Sequence, residues 1–241
     1  MRYAILGDIH SNLEAYEAVL AELKDEKDLK YFSVGDIVGY GADPVAAIEI
    51  TRSLGTTSVC GNHDWAAAGL IETSDFNPNA EAAILWTKDI LGIGDIEYLK
   101  GLELVYENSD LTLVHGTLNR PEDFDYVLDT YIAYKMMMLA KTKVSFIGHS
   151  HIAGIFILED DMPRYTVKQS VTIEPDAKYL VNVGSVGQPR DGDWRAAYCI
   201  YDTGKKTLEI RRAEYDVKKA MNKILKAGLP KMLAYRLAEG R

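Results

Sequence analysis

The chain has 241 residues, long enough to bury a sizeable core, and its 47% hydrophobic and 26% charged residues with only 7 prolines exclude collagenous, low-complexity and disordered classes. Lys and Arg number 27 against 36 Asp and Glu, a formal charge of -9 that disfavours nucleic acid and anionic membrane surfaces as partners. No uninterrupted apolar stretch is long enough to span a bilayer, so a cytoplasmic protein is expected.

In chain order, the first β-type run is Tyr3–Leu6, followed by Tyr31–Val34, Thr57–Cys60, Leu111–Val114 and Val144–Ile147. Each is rich in β-branched or aromatic residues and stopped by Gly or a polar residue, and helical segments alternate with them. The pattern predicts an α/β fold in which five runs could line one sheet. Ser11-Asn12-Leu13-Glu14 has the capping-box form, so the first helix is expected to begin at Ser11, with Leu13, Val19, Leu20 and Leu23 on its core face. Asp43-Pro44 and Asn77-Pro78 each pair a side-chain cap with a proline suited to the first helical position. Residues Thr117–Lys143, with Arg120-Pro121, several aromatics and Met136-Met137-Met138, form a candidate lid whose alternative is a packing helix.

After Ile152 come closely spaced runs (Gly154–Leu158, Tyr165–Val167, Tyr179–Val183, Ala197–Tyr201, Thr207–Ile210) that predict an antiparallel second sheet, then a helical tail from about Val217. No linker, repeat or charge block interrupts the chain, which reads as one domain, 1–241, of two packed sheets flanked by helices. Cys60 and Cys199 sit in apolar runs with no C-x-x-C pair, as buried thiols do.

All five histidines, His10, His63, His115, His149 and His151, follow strand-like runs or lie in the turns beyond them. In an α/β sheet the loops past the carboxyl ends of parallel strands converge on one crevice, where ligand sites concentrate. Singly, Asp8-Ile9-His10, Gly35-Asp36 and Gly61-Asn62-His63-Asp64 could each be an ordinary turn. Two imidazoles as close as those of Gly148-His149-Ser150-His151 point more directly to metal. Together they read D-x-H, GD, GNHD, HG and GHSH, in that order.

In residue type and order these motifs, from Asp8 to His151, resemble the calcineurin-like metallophosphoesterase superfamily. The likeness extends to small prokaryotic phosphodiesterases that begin GDIHSN and carry a later GSVGQPRDG segment, here Gly184–Gly192. The resemblance implies a four-layer α/β sandwich holding two divalent cations, Mn first and Fe, Zn, Ni or Mg as alternatives. Asp8, His10 and His151 would bind one cation, Asn62, His115 and His149 the other, and Asp36 would bridge them. The chemistry agrees: a carboxylate can hold two cations close together, and neutral imidazole and amide ligands limit the negative charge offered.

His63 would remain unligated, oriented by Asp64, as a transition-state stabiliser or general acid. The resemblance implies in-line attack on a small phosphate ester, a diester first as in that subgroup, by a metal-bridging hydroxide, and the absence of a G-x-S-x-G motif fits a reaction that needs no nucleophilic side chain. Asn12 at a helix start and Arg190 in the glycine-rich segment are candidate phosphate contacts, against plain readings as a cap and a turn arginine. A protein or dinucleoside-polyphosphate phosphatase is the alternative enzyme. A non-catalytic interaction scaffold is the alternative of another class, and the intact ligand set argues against it.

Overall fold

The computed structural model describes all 241 residues. Its strands are β1 (Arg2–Leu6), β2 (Leu29–Ser33), β3 (Thr57–Ser58), β4 (Val105–Glu107), β5 (Thr112–Val114), β6 (Val144–Ile147), β7 (Gly154–Glu159), β8 (Met162–Thr166), β9 (Ser170–Thr172), β10 (Lys178–Asn182), β11 (Ala196–Asp202) and β12 (Thr207–Ala213). The helices are α1 (Leu13–Leu23), α2 (Pro44–Ser53), α3 (Asn62–Ala68), α4 (Pro78–Ile90), α5 (Ile93–Lys100), α6 (Thr130–Leu139), α7 (Val217–Lys226) and α8 (Lys231–Tyr235).

The strands form two mixed six-stranded sheets, β3-β2-β1-β11-β12-β9 and β4-β5-β6-β10-β7-β8. Strict alternation along each central strand builds the layers. Tyr3 and Ile5 of β1, Cys199 of β11, Phe146 of β6, Val181 of β10 and Ile155 of β7 fill the space between the sheets. The intervening Ala4, Leu6, Tyr198 and Ile200 meet Tyr16, Val19, Ile48, Ile224 and Leu233 of the helices on the first sheet. On the outer face of the second sheet, Ile147, Phe156 and Leu180 meet Ala133, Met136 and Met137 of α6. The result is a helix-sheet-sheet-helix sandwich, the predicted fold class. Both cysteines are buried and free, and no helix is long and apolar enough to cross a membrane.

Two expectations are corrected. The five early runs do not share a sheet: β1, β2 and β3 lie in one, β5 and β6 in the other. Nor do the later strands make a sheet of their own, because β11, β12 and β9 complete the first and β10, β7 and β8 the second. A strand buried on both faces reads as a continuous apolar run, which carries no mark of the sheet it joins.

The cap of α1 also differs. Asn12, not Ser11, is the N-cap, its Oδ1 accepting from the Ala15 N–H at 3.2 Å. Ser11 stands in left-handed backbone, φ +55°, outside the extended region an N-cap adopts, and its own N–H and C=O are bonded to Ile37 and Asp43 of the neighbouring loop. Asn77 caps α4 as expected, while the Asp43 carboxylate makes no cap bond to α2 and instead accepts from Lys223 at 2.8 Å.

What places the site is strand direction. β1, β2 and β3 are mutually parallel, as are β5, β6 and β10. The segments leaving their carboxyl ends, loops and the first turn of α3, carry Asp8, His10, Asp36, Asn62, His63, His115, His149, His151 and Arg190 and meet along one edge of the sandwich.

Candidate functional site

At that edge, Asp8, His10 and His151 form one group and Asp36, His115 and His149 another, the ligand atoms of each lying within 4.8 Å of one another. His151 Nε2 is 3.1 Å from Asp8 Oδ1, and His10 Nε2 is 3.0 Å from His151 Nε2. In the second group His115 Nε2 lies 3.1 Å from His149 Nδ1 and 3.2 Å from Asn62 Oδ1. Asp36 stands between the two, with Oδ2 3.5 Å from His10 Nε2 and 3.3 Å from His115 Nε2, while its Oδ1 accepts from the His63 backbone N–H at 2.9 Å. All seven ligand candidates are thus brought together.

Close packing of backbone against carboxylate makes this possible. A Cβ on Gly61 would collide with Asp36 Oδ1, and one on Gly148 with Asp8 Oδ2. Asn182, at the end of β10 and not anticipated from sequence, donates to Gly148 O and to Ser150 Oγ, each at 2.9 Å, and braces the loop that bears both late histidines.

The hydrogen bonds around the imidazoles decide what the cluster can hold. Nδ1–H of His10 donates to Val38 O (3.1 Å), that of His115 to Val34 O (2.8 Å) and that of His151 to Gln188 O (2.6 Å). Each ring therefore turns Nε2 inward. Burial holds His10 and His149 well below the ordinary imidazole range and lowers His151 as well, so these rings are neutral donors. Burial opposes the charge on His115 too, but the Asp36 carboxylate outweighs it and raises the group to about 9. Two neutral rings with lone pairs 3.0 Å apart repel unless something positive lies between them, and buried carboxylates beside them need the same partner. The donor set of imidazole, carboxylate and amide oxygen fits divalent cations.

His63 borders the first group. Its ring packs edge-on to His10 (4.8 Å between centroids) and Phe76 (5.2 Å) and against Tyr40 (4.4 Å), and its Nδ1 is buried with no hydrogen-bond partner. Burial lowers it to about 4. Asp64 does not orient it: Asp64 Oδ1 accepts from Val38 N–H at 3.1 Å and Oδ2 from Gly61 N–H at 3.0 Å, closing the capping box of α3. Adjacent residues on a helix do not face each other, so this carboxylate cannot serve both the cap and the neighbouring ring. Burial and nearby Asp36 push Asp64 up to about 7.

Beside the two groups lies a cleft of about 710 Å³, lined among others by Tyr40, His63, Phe76, Phe124, Tyr126 and Arg190. Arg190 is the one cationic side chain in the lining. Its guanidinium lies 5.6 Å from the Tyr40 ring centre and donates to Gln188 Oε1 at 2.9 and 3.3 Å. Asn12 is not part of that lining. Its Oδ1 caps α1 and its Nδ2 donates to Gly187 O at 2.8 Å, so both polar ends are engaged within the protein.

The segment 117–143 divides. Residues 122–126 line the cleft, whereas α6 packs its methionines on the sheet, with Met136 and Met137 buried and Met138 exposed. Sequence reasoning missed Tyr40, Phe76 and the rim carboxylates Glu72, Asp75, Glu122, Asp123 and Asp125. A tyrosine between two glycines, directly after Gly35-Asp36-Ile37-Val38, was an available signal for the first. The others lie in irregular segments or, for Glu122 and Asp123, in the single 3-10 turn Pro121–Asp123, with no pattern of their own.

Residues 1–206 match the family model of the calcineurin-like phosphoesterase superfamily domain. An uncharacterized protein of Methanocaldococcus jannaschii is 40% identical over 242 residues, 99% of this chain and 98% of that one. A metallophosphoesterase crystal structure from Sphaerobacter thermophilus superposes with a TM-score of 0.87 at 35% identity, covering 100% of this chain and 99% of that one. A hypothetical protein from Pyrococcus horikoshii shares the fold, with a TM-score of 0.81 at 20% identity over 100% and 98% of the two chains.

Proposed function

This chain belongs to the calcineurin-like phosphoesterase superfamily and is a metal-dependent phosphoric ester hydrolase, and from that premise we propose that it uses two divalent cations to hydrolyse small phosphodiesters. The observation that carries the binuclear reading is the position of Asp36 Oδ2, within 3.5 Å of His10 Nε2 and 3.3 Å of His115 Nε2. Asp8, His10 and His151 would hold one cation, Asn62, His115 and His149 the other, and Asp36 both. Bound there, such ions make a water nucleophilic near neutral pH and neutralise phosphoryl oxygens.

The chain's own residues do the rest. Arg190, held by Gln188 Oε1, pairs with a phosphoryl oxygen. The new P–O bond forms on the face opposite the departing ester oxygen, the attacking water yielding its proton to solvent, and His63 in its protonated form gives a proton to the departing oxygen as the old bond breaks. Burial, with Arg190 and the neighbouring imidazoles, keeps His63 neutral, whereas the Asp36 carboxylate and an ester anion bound beside the ring favour its protonated form.

The diester preference has an electrostatic support besides the subgroup resemblance. Glu72, Asp75, Glu122, Asp123 and Asp125 ring the outer cleft, and only Asp123 has a cationic partner, Arg120 at 2.9 Å. A diester brings one negative charge past that rim and a monoester up to two. Nucleic acids, with many, are disfavoured for the same reason.

Metal-reconstituted protein, supplied first with Mn²⁺, should hydrolyse bis-p-nitrophenyl phosphate readily. A strong monoester preference across a panel would replace the diester reading by a phosphatase. Asp36→Asn should lose more metal than any other single-ligand change, and elemental analysis finding two ions at wild-type occupancy would remove Asp36 from the shared position.

A further inference from the structure

The four imidazoles of the cluster are not held alike. Those of His10, His115 and His151 are fixed by Nδ1–H bonds to backbone carbonyls. His149 instead turns Nδ1 inward toward His115. Its Nε2 makes no hydrogen bond to the protein, and the only anchored part of the residue is the backbone N–H, which donates to both oxygens of Asp8 at 3.1 Å. Apart from that approach of His115 Nε2 to its Nδ1 (3.1 Å), nothing polar fixes the plane of this ring. What lies against it is Tyr126, stacked with centroids 3.8 Å apart and planes 19° from parallel.

Tyr126 belongs to the cleft-lining loop 122–126, which touches the second group twice. Phe124, buried at 7% exposure, packs its ring edge-on to His115 at 5.9 Å and to Trp65 of α3 at 5.4 Å. Just before the loop, a Cβ on Gly116 would strike Asp125 O, so the chain is tightly seated where it passes His115. Phe124 is thus the anchor, and Tyr126, 46% exposed, reaches over the cleft to cover His149.

We propose that Tyr126 is the positioning residue of His149, and that the loop 122–126 thereby governs how tightly a cation is held by Asn62, His115 and His149. This rests on the binuclear reading above. A flat ring on one face restricts rotation of the imidazole about its bond to Cβ and keeps Nδ1 aimed inward. Other outer-sphere partners of metal-ligating histidines do this by hydrogen bonding. Once the imidazole shares a cation's charge, the electron-rich phenol face also attracts it.

The test is calorimetric titration of Mn²⁺ into metal-free protein, with electron paramagnetic resonance of the manganese as a second readout. Wild type should take up two ions. Tyr126→Leu keeps apolar bulk without a flat ring, and should weaken one of the two affinities about two- to tenfold, the range for loss of one aromatic stacking contact. The other affinity should not change. At limiting manganese its spectrum should shift toward uncoupled, mononuclear ions. Tyr126→Phe keeps the ring and should behave as wild type, while His149→Ala should weaken the same step further. Unchanged affinities in Tyr126→Leu, equal weakening of both steps, or weakening of the step that His149→Ala spares would each overturn the role of Tyr126. Wild-type protein that binds fewer than two ions would overturn the binuclear reading instead, and this inference with it.

Discussion

Asp8, His10, Asp36, His149 and His151 all stand in left-handed backbone, with φ between +48° and +66°. Such conformations cost about 1–3 kcal/mol each in non-glycine residues. The surrounding loops hold them because the ligand atoms then converge. His63, one residue beyond a ligand candidate, has ordinary helical backbone and a ring set by Tyr40 and Phe76, so its chemistry can be separated from metal binding. His63→Gln should keep both ions and lose about 10²–10⁴-fold on an alkyl ester, whose alkoxide needs a proton. It should lose much less on a p-nitrophenyl ester. Equal losses at full metal content would mean that His63 only stabilises phosphoryl charge. Far from the site, Glu26 accepts from Arg2 and from Arg211 (2.9 Å), and these bonds lower it to about 2 from an ordinary 4.5. A depressed carboxyl contributes stability above its unfolded value, and loses it as pH falls toward the folded one. The melting temperature of wild type should therefore exceed that of Glu26→Gln at pH 5 and above, with the gap closing between about pH 4.5 and 2. A gap independent of pH would show that the ion pairs contribute nothing.

Element by element, the site depends on how segments end. Helix α1 starts where Asn12 satisfies the Ala15 N–H, and the same side chain ties the helix to Gly187 in the loop that carries Gln188 and Arg190. Asn12→Ala should thus cost about 1 kcal/mol of stability as a lost cap, read from denaturant melts, with kcat/KM per folded molecule little changed. A large rise in KM without a change in stability would return Asn12 to the substrate. At the other end of the chain, α7 secures the same corner. Lys223 reaches the nearly buried Glu14 at 2.7 Å and Asp43 at 2.8 Å, so the cap region of α2 and the first turn of α1 share one cation. The sequence signature of a capping box at Ser11 was a true sign of a helix start, displaced by one residue because Ser11 is bonded into the loop beside Ile37 and Asp43.

Across the whole molecule, two sheets contribute their parallel strand ends to one edge, so the ligands of both groups come from both sheets. Strained backbone, buried carboxylates and inward lone pairs all favour the cation-bound protein. Ions that bind only the folded state stabilise it by about 2.7 kcal/mol per site at a concentration 100-fold above Kd. Chelation should accordingly lower the melting temperature by about 5–10 °C per site for a chain of this size, and added Mn²⁺ should restore it. A melting temperature indifferent to chelator would remove the cations from the stability of the fold. The sequence by itself pointed to the candidate site: Asp8, His10, Asp36, Asn62, His115, His149 and His151 were legible because metal ligation demands a few residue types, each sits just past a strand, and His63 stood out beside Asn62 in the same motif. It determined the layered class too, since short continuous apolar runs such as Tyr3–Leu6 and Val144–Ile147 mark strands buried on both faces. Only the tertiary structure decided which sheet each strand joins, that the Asp64 carboxylate closes a helix cap, and that Tyr126 covers His149. Those outcomes turn on contacts between segments far apart in the chain, where an aromatic or a carboxylate looks the same whether it faces a neighbour or the solvent.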